Sequence, residues 1–206
     1  MIKLIQLTAR TLLSLGLLLA MTGARADVFD LAQLSRQLSE PEVVRGSFIQ
    51  EKHLRALPQP LVSSGSFVLA RDHGLLWLLR EPVQQDYRIS SSGIARRSAG
   101  RWQQRDQQGP AARQYDLFLA LLRGDTEALQ RDFELELNGT SQAWALALTP
   151  RSKLLGQIFT RILIQGSVTV ERIELLEAQG DSTVIVMSSI QIDDELDPSE
   201  LHDLAN

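Results

Sequence analysis

Hydrophobic positions along this chain repeat at two periods, and the switches between them mark its elements. Val28, Leu31, Leu34 and Leu38 fall near helical spacing, which predicts an amphipathic helix over 27–38. Asp27 or Asp30 can cap its start, and Pro41 follows its end. Beyond Pro41 the pattern becomes alternating or short unbroken runs, which predicts strands over 43–54, 61–71, 75–80, 84–91 and 94–97. Pro58, Pro60, Asp72-His73-Gly74, Pro82, Ser91-Ser92-Gly93 and Gly100 punctuate them as turns. Gln107-Gln108-Gly109-Pro110 breaks the series. A helix is predicted over 115–122, ended by Gly124, with a further helical turn over 126–131 capped by Asp125. Strands resume over 133–137, 143–149, 162–165, 168–175 and 183–192. Asn138-Gly139 predicts a hairpin turn, and 152–159 predicts a short helix after Pro150.

Strands joined by short turns mostly pair with their neighbours, so this order implies one long antiparallel meander. About ten twisted strands do not stay flat. The expected fold is therefore mainly β with helices (α+β), a curled antiparallel sheet whose concave apolar face the helices cover. Leu117-Phe118-Leu119-Ala120-Leu121-Leu122 is apolar all round and must be covered on more than one side. Two readings stand: a core helix plugging the sheet, or a lid whose inner face meets a ligand. Leu75-Leu76-Trp77-Leu78-Leu79 and Val184-Ile185-Val186-Met187 are unbroken runs, expected of strands buried on both faces or lining an apolar pocket. Phe48, Phe67 and Trp77 are assigned to the core on this basis.

The first 26 residues read as a secretory signal: Lys3 and Arg10, a short apolar stretch over 12–21, then Ala24-Arg25-Ala26. The apolar stretch is too short for the roughly 20 residues of a spanning helix. Without Lys3, Arg10 and Arg25, the remaining 180 residues carry 18 basic against 25 acidic side chains, a net charge of −7. An acidic domain of this kind is a poor nucleic-acid binder. No cysteine is present, which excludes disulfides, thiol catalysis and lipidation at a cleavage-site cysteine. Arg88, Arg96, Arg97, Arg101, Arg105 and Arg113 cluster against only Asp86 and Asp106. The cluster reads as a solvated face, or as a docking surface for an acidic partner or a lipid head group; the acidic segment Asp193-Asp194-Glu195-Leu196-Asp197 of the same chain could fold onto it. The expected organisation is a signal peptide over 1–26, a domain over 27–192 and an acidic tail over 193–206 that breaks at Pro198.

Catalytic and metal signatures are poor. His53, His73 and His202 have no metal-ligand spacing, and no G-x-S-x-G elbow occurs. The tail starts like a calcium loop but has Pro198 where the loop needs Gly. Asn138-Gly139-Thr140 is a formal glycosylation sequon, read here as the turn. No catalytic residue, metal or cofactor is expected. A hydrolase would need a Ser paired with His53 or His73, and the spacing offers no support for that pair.

In order, four segments resemble the LolA family, the periplasmic outer-membrane lipoprotein carriers of Gram-negative bacteria. Val44-Arg45-Gly46-Ser47-Phe48-Ile49-Gln50-Glu51-Lys52 is similar to its first strand. Gly65-Ser66-Phe67-Val68-Leu69-Ala70-Arg71, then Gly74-Leu75-Leu76-Trp77 and Glu81-Pro82, resemble its central block, and Ile89-Ser90-Ser91-Ser92-Gly93 its following turn. The 117–122 helix, Phe133-Glu134-Leu135 and Leu146-Ala147-Leu148-Thr149-Pro150 match its later half. Asp72 stands where the family has Pro, and Ser92 where it has Asp, which marks a divergent branch. The resemblance implies an unclosed β-barrel with a helical lid over an apolar cavity in a periplasmic, monomeric carrier. It places Phe48, Phe67, Leu69, Trp77, Leu117, Phe118, Leu121 and Leu122 at the acyl cavity and lid, and gives Arg71 the role of lid latch. Its implied partners are an acylated lipoprotein or another exported lipid, an inner-membrane transporter and an outer-membrane receptor, met in transient membrane-protein contacts. Related half-barrels also occur in periplasmic regulators of envelope-stress signalling, some of them lipid-sensing, and this remains the alternative.

Overall fold

The computed structural model describes residues 29–104 and 110–205, the latter with backbone only over 110–115. The signal segment over 1–26, Asp27, Val28, Arg105, the break at 107–109 and the Arg113 side chain lie outside what is described. Among the described residues are five helices and eleven strands, all in one antiparallel sheet. The chain opens with α1 (Leu31–Ser39), β1 (Val43–His53), β2 (Leu61–Ala70), β3 (Gly74–Glu81), β4 (Gln85–Ser90), β5 (Gly93–Ser98) and β6 (Arg101–Gln104). Then come α2 (Pro110–Arg123), α3 (Thr126–Asp132), β7 (Phe133–Thr140), β8 (Ala143–Pro150), α4 (Lys153–Gly156), β9 (Phe159–Gly166), β10 (Val170–Glu177), β11 (Ser182–Asp193) and α5 (Pro198–Ala205).

The sheet order is β6-β5-β4-β3-β2-β1-β11-β10-β9-β8-β7. The first and last strands meet in its middle, with Phe48 opposite Met187, and the edge strands β6 and β7 do not pair with each other. The sheet is therefore curled but unclosed. Its inner face collects Val44 and Phe48 of β1, Ile89 of β4, Leu146 of β8 and Ile164 of β9 into one core with Leu34 and Leu38 of α1 and Leu119, Leu121 and Leu122 of α2. Strand residues alternate into and out of this core, which is why the register is not free to slip.

Local chemistry sets the helix ends. Asp30 accepts a hydrogen bond from the Gln33 N–H at 2.8 Å, and Gln33 Oε1 accepts one from the Asp30 N–H, so α1 begins after a capping box. Asp125 caps α3 and Ser152 caps α4. The helix expected from Tyr115 starts earlier, at Pro110, whose fixed φ and missing N–H suit a first helical turn.

Three sequence expectations need correction. The hairpin between β7 and β8 turns at Ser141-Gln142, not at Asn138-Gly139. Leu135 and Leu137 must face the core opposite Leu148 and Leu146, and that register carries the strand through the Asn-Gly pair to Thr140. Gly139 stays in the ladder with φ +104°, which glycine adopts without strain. Strand β6 was not expected, because four residues with one apolar side chain give no periodic signal. The acidic tail does not break at Pro198; α5 begins there, with Pro198 at its first position.

The two unbroken apolar runs behave differently. Leu75 and Trp77 enter the inner core, whereas Leu76 packs outside with Val43, Val68, Ala70 and Leu204 of α5. The run is apolar throughout because β3 is covered on both faces. In 184–187 only Ile185 and Met187 are buried, and Val186 stays 41% exposed.

Candidate functional site

Helix α2 lies along the inner face, and its residues divide by environment. Leu119, Leu121 and Leu122 are buried, while Leu117 and Phe118 are half-buried. Opposite them the sheet supplies an aromatic cluster. The Trp77 ring stacks on Phe48 with centroids 3.6 Å apart, lies 6.2 Å from Phe67, and meets Phe118 edge-on at 5.2 Å. Phe118 thus joins the helix to the sheet through an offset or perpendicular geometry that aromatic quadrupoles favour.

Beside this cluster the core is not filled. A cavity of about 310 Å³ lies between α2 and the sheet. Leu117, Phe118 and Leu121 roof it; Trp77, Leu79, Tyr87, Ile89, Phe159, Leu175 and Ile185 form its walls. Toward solvent the lining turns polar, with Gln50, Lys52, Glu177 and Thr183. Lys52 Nζ stands 3.6 Å from Glu177, and both side chains are partly exposed. A larger, open groove of about 920 Å³ between α1 and the β7–β8 hairpin is walled by Gln33, Arg36, Gln37, Glu40, Thr140 and Ser141. Among the described residues Phe29 is the one large apolar side chain on its walls, whereas aromatic and aliphatic side chains make up most of the smaller cavity, which is the candidate site for a hydrocarbon.

Of the residues the sequence placed at an acyl cavity and lid, Trp77, Leu117, Phe118 and Leu121 line the cavity. Phe48, Phe67, Leu69 and Leu122 are buried in the core behind it. The sequence reading missed Gln50, Lys52, Tyr87, Ile89, Phe159, Leu175, Glu177 and Thr183. The signal for the first two was present: Gln50 and Lys52 continue the inward parity of Phe48, so a polar pair sits where alternation requires an apolar one.

Arg71 lies at the end of β2, where its Nη1 pairs with Glu42 at 2.7 Å. The guanidinium that crosses from helix to sheet is Arg123, the last residue of α2, which donates to the Ala70 carbonyl at 3.2 Å. Burial pushes the Arg123 guanidinium below its ordinary value, opposed by the charges of Asp72 and Asp125.

On the outer face, α5 covers β3 and its neighbours. Leu204 is buried against the outer apolar patch. Arg45 holds Glu200 through Nη2 at 2.6 Å and Asp193 at 2.5 Å. Asp203 accepts from Arg97 and from the Trp102 indole N–H at 3.3 Å, and its carbonyl accepts from Arg88 at 3.0 Å. Arg97 and Arg88 also lie over the Trp102 ring, at 4.5 and 5.2 Å. Part of the arginine cluster therefore meets the chain's own acidic C-terminal segment.

His53 pairs with Glu51 at the end of β1 and His73 lies in the β2–β3 turn, both away from the cavity. No cluster of metal-ligating side chains occurs among the described residues. No helix among them is long and apolar enough to cross a membrane.

Residues 23–194 match the family model for outer membrane lipoprotein carrier protein LolA-like proteins. No curated protein matches the chain. Among solved structures, it is similar to a chain of the Pseudomonas aeruginosa MucA/MucB complex, at 18% identity and TM-score 0.51, over 84% of this chain and 60% of that one. It therefore spans less than two thirds of that relative. A LolA superfamily protein from Nitrosomonas europaea is similar at 10% identity and TM-score 0.45, over 84% and 97% of the two chains. Mycobacterium tuberculosis lipoprotein LppX is similar at 10% identity and TM-score 0.43, over 80% and 96%.

Proposed function

The chain belongs to the LolA-like family of outer membrane lipoprotein carrier proteins, and we propose that it is a periplasmic carrier. It shields the acyl chains of a lipoprotein or another lipid in the cavity beneath α2 and moves them from the inner to the outer membrane. The observation that carries this reading is the unfilled apolar space roofed by Leu117, Phe118 and Leu121. Burying hydrocarbon is worth about 0.8 kcal/mol per CH₂, so a sixteen-carbon chain gains on the order of 10 kcal/mol gross. About 310 Å³ is at the small end of ligand sites, so a long chain is admitted by displacement of α2. Such a lid supports release as well as uptake, because cargo and helix compete for the same apolar wall. Leu57, Leu61, Val83, Leu154 and Ile158 are exposed on the loops, a strand start and the short helix α4 at the Lys52–Glu177 end of the sheet. Their position supports contact of the open end with a transporter and a receptor.

The test is transfer of a fluorescent acyl probe between donor and acceptor vesicles. The wild-type chain binds and transfers the probe, and Leu121→Glu, which places a carboxylate in the roof, weakens binding at least tenfold. A wild-type chain that binds no acyl probe ends the carrier reading. Binding without transfer supports the lipid-sensing regulatory role.

Arg71 and Arg123 share the latch in this reading, one fixing the end of β2 and the other tying α2 to it. Removing a hydrogen bond from a charged donor costs about 1.5 kcal/mol or more, which corresponds to roughly tenfold in a lid equilibrium. Arg123→Met is expected to speed probe release by about that factor, with little change in stability because a desolvated charge is removed with the bond. Arg71→Leu is expected to act in the same direction and more weakly. Stopped-flow release rates check the order, and unchanged rates in both variants remove the latch.

A further inference from the structure

The cavity lining contains two neutral polar side chains, Gln50 and Thr183. Thr183 is 8% exposed and faces the cavity, yet its hydroxyl has no hydrogen-bond partner among the described residues. Gln50 also faces it, with its amide unpartnered in the same sense. The two lie on adjacent antiparallel strands: Gln50 is opposite Ile185 and Lys52 opposite Thr183, which makes Gln50 and Thr183 diagonal neighbours on the inner face. Side chains in that relation reach a common point. The Thr183 hydroxyl and the Gln50 amide are open to the cavity space, so each can pair with a polar group that enters it.

The charges nearby decide what such groups can hold. Lys52 is the basic side chain of the lining and Glu177 the acidic one, and they stand 3.6 Å apart. Their charges cancel. A carboxylate or phosphate drawn to Lys52 would leave Glu177 beside a second negative charge. A neutral polar group meets no such conflict and takes one donor from Thr183 and one from the Gln50 amide.

We infer that the cavity accepts an acyl chain together with the neutral ester or amide linkage at its head, and that Gln50 and Thr183 hydrogen-bond that linkage. The inference rests on the acyl-carrier reading and narrows it. The hydrocarbon lies along Trp77, Phe118 and Ile185, the linkage sits at Gln50 and Thr183, and whatever follows passes the Lys52–Glu177 pair into solvent.

Competition against a bound fluorescent acyl reporter at pH 8 tests this with dodecanoate, methyl dodecanoate, N-methyl dodecanamide and dodecane. The ester and amide are expected to compete at least about fivefold better than the ionised acid. Thr183→Val and Gln50→Leu are each expected to lower ester and amide affinity by about fivefold and to leave dodecane unchanged. Thr183→Val is nearly isosteric and carries the test alone if Gln50→Leu folds poorly. Reporter binding with no preference among the four ligands, a preference for the acid, or unchanged affinities in both variants overturns the inference and leaves the carrier reading standing. Failure of the wild-type chain to bind the reporter overturns both.

Discussion

Trp77→Ala is expected to lower the unfolding free energy by about 3–5 kcal/mol, the range for removing a large buried aromatic side chain. The position earns this expectation from its contacts. Trp77 is 8% exposed, stacked on Phe48, near Phe67 and edge-on to Phe118 of α2. Truncation removes the ring shared by two strands and the lid, and it opens the cavity that Trp77 now walls. Two readouts should therefore move together: the urea midpoint falls, and hydrogen exchange in 117–122 accelerates as the helix loses its aromatic anchor. Trp77→Phe retains a ring for Phe48 and should lose less. A loss below about 1 kcal/mol, with unchanged exchange in the helix, would show that the aromatic cluster does not hold lid to sheet.

Acidification is expected to release α5 before the barrel unfolds. The hydrogen bond from Arg45 holds the Glu200 carboxyl below its ordinary value, with help from the Asp197 N–H and against burial. A carboxyl depressed in the folded state contributes stability that is complete above its unfolded value, about 4.3, and is lost as pH falls through the lower folded value. Protonation of Glu200 also weakens the network that Arg45 shares with Asp193. Amide protection in 198–205 should therefore collapse below about pH 4 while the central strands stay protected. Leu204→Ala should raise the pH at which this happens, because it removes about 2 kcal/mol or more of apolar anchoring. Simultaneous loss of protection in α5 and β1 would mean that the helix is an inseparable part of the barrel.

The elements were legible wherever one physical signal dominated. Alternation and short apolar runs placed ten of the strands, and Asp30 and Asp125 stood at helix starts as caps. The apolar surround of 117–122 required a helix covered on several sides, and the sheet and α1 cover it. The Asn-Gly pair misled because a local turn preference is worth less than the burial of Leu135 and Leu137. β6 was invisible because its place comes from ladder pairing with β5.

The site was only half legible. Large apolar residues on inward parity marked Phe48, Phe67 and Trp77 together, but parity does not distinguish a side chain that fills the core from one that borders a hollow. Trp77 lines the cavity and Phe48 stacks behind it, although both read alike. The same limit applies to the arginine cluster: charge counting left open a solvated face, a partner or the acidic tail, and the contacts to Asp203 choose the tail for Arg88 and Arg97.

By itself the sequence determined the curled antiparallel sheet, its covering helix and the absence of cysteine chemistry, because periodicity, turn residues and composition act over a few neighbouring positions. Tertiary structure alone decided where the core stops being filled, which polar side chains border that gap, and that the C-terminal helix seats on the outer face. Those outcomes depend on residues distant in the chain, such as Lys52 with Glu177 and Arg45 with Glu200, meeting at separations that no local pattern encodes.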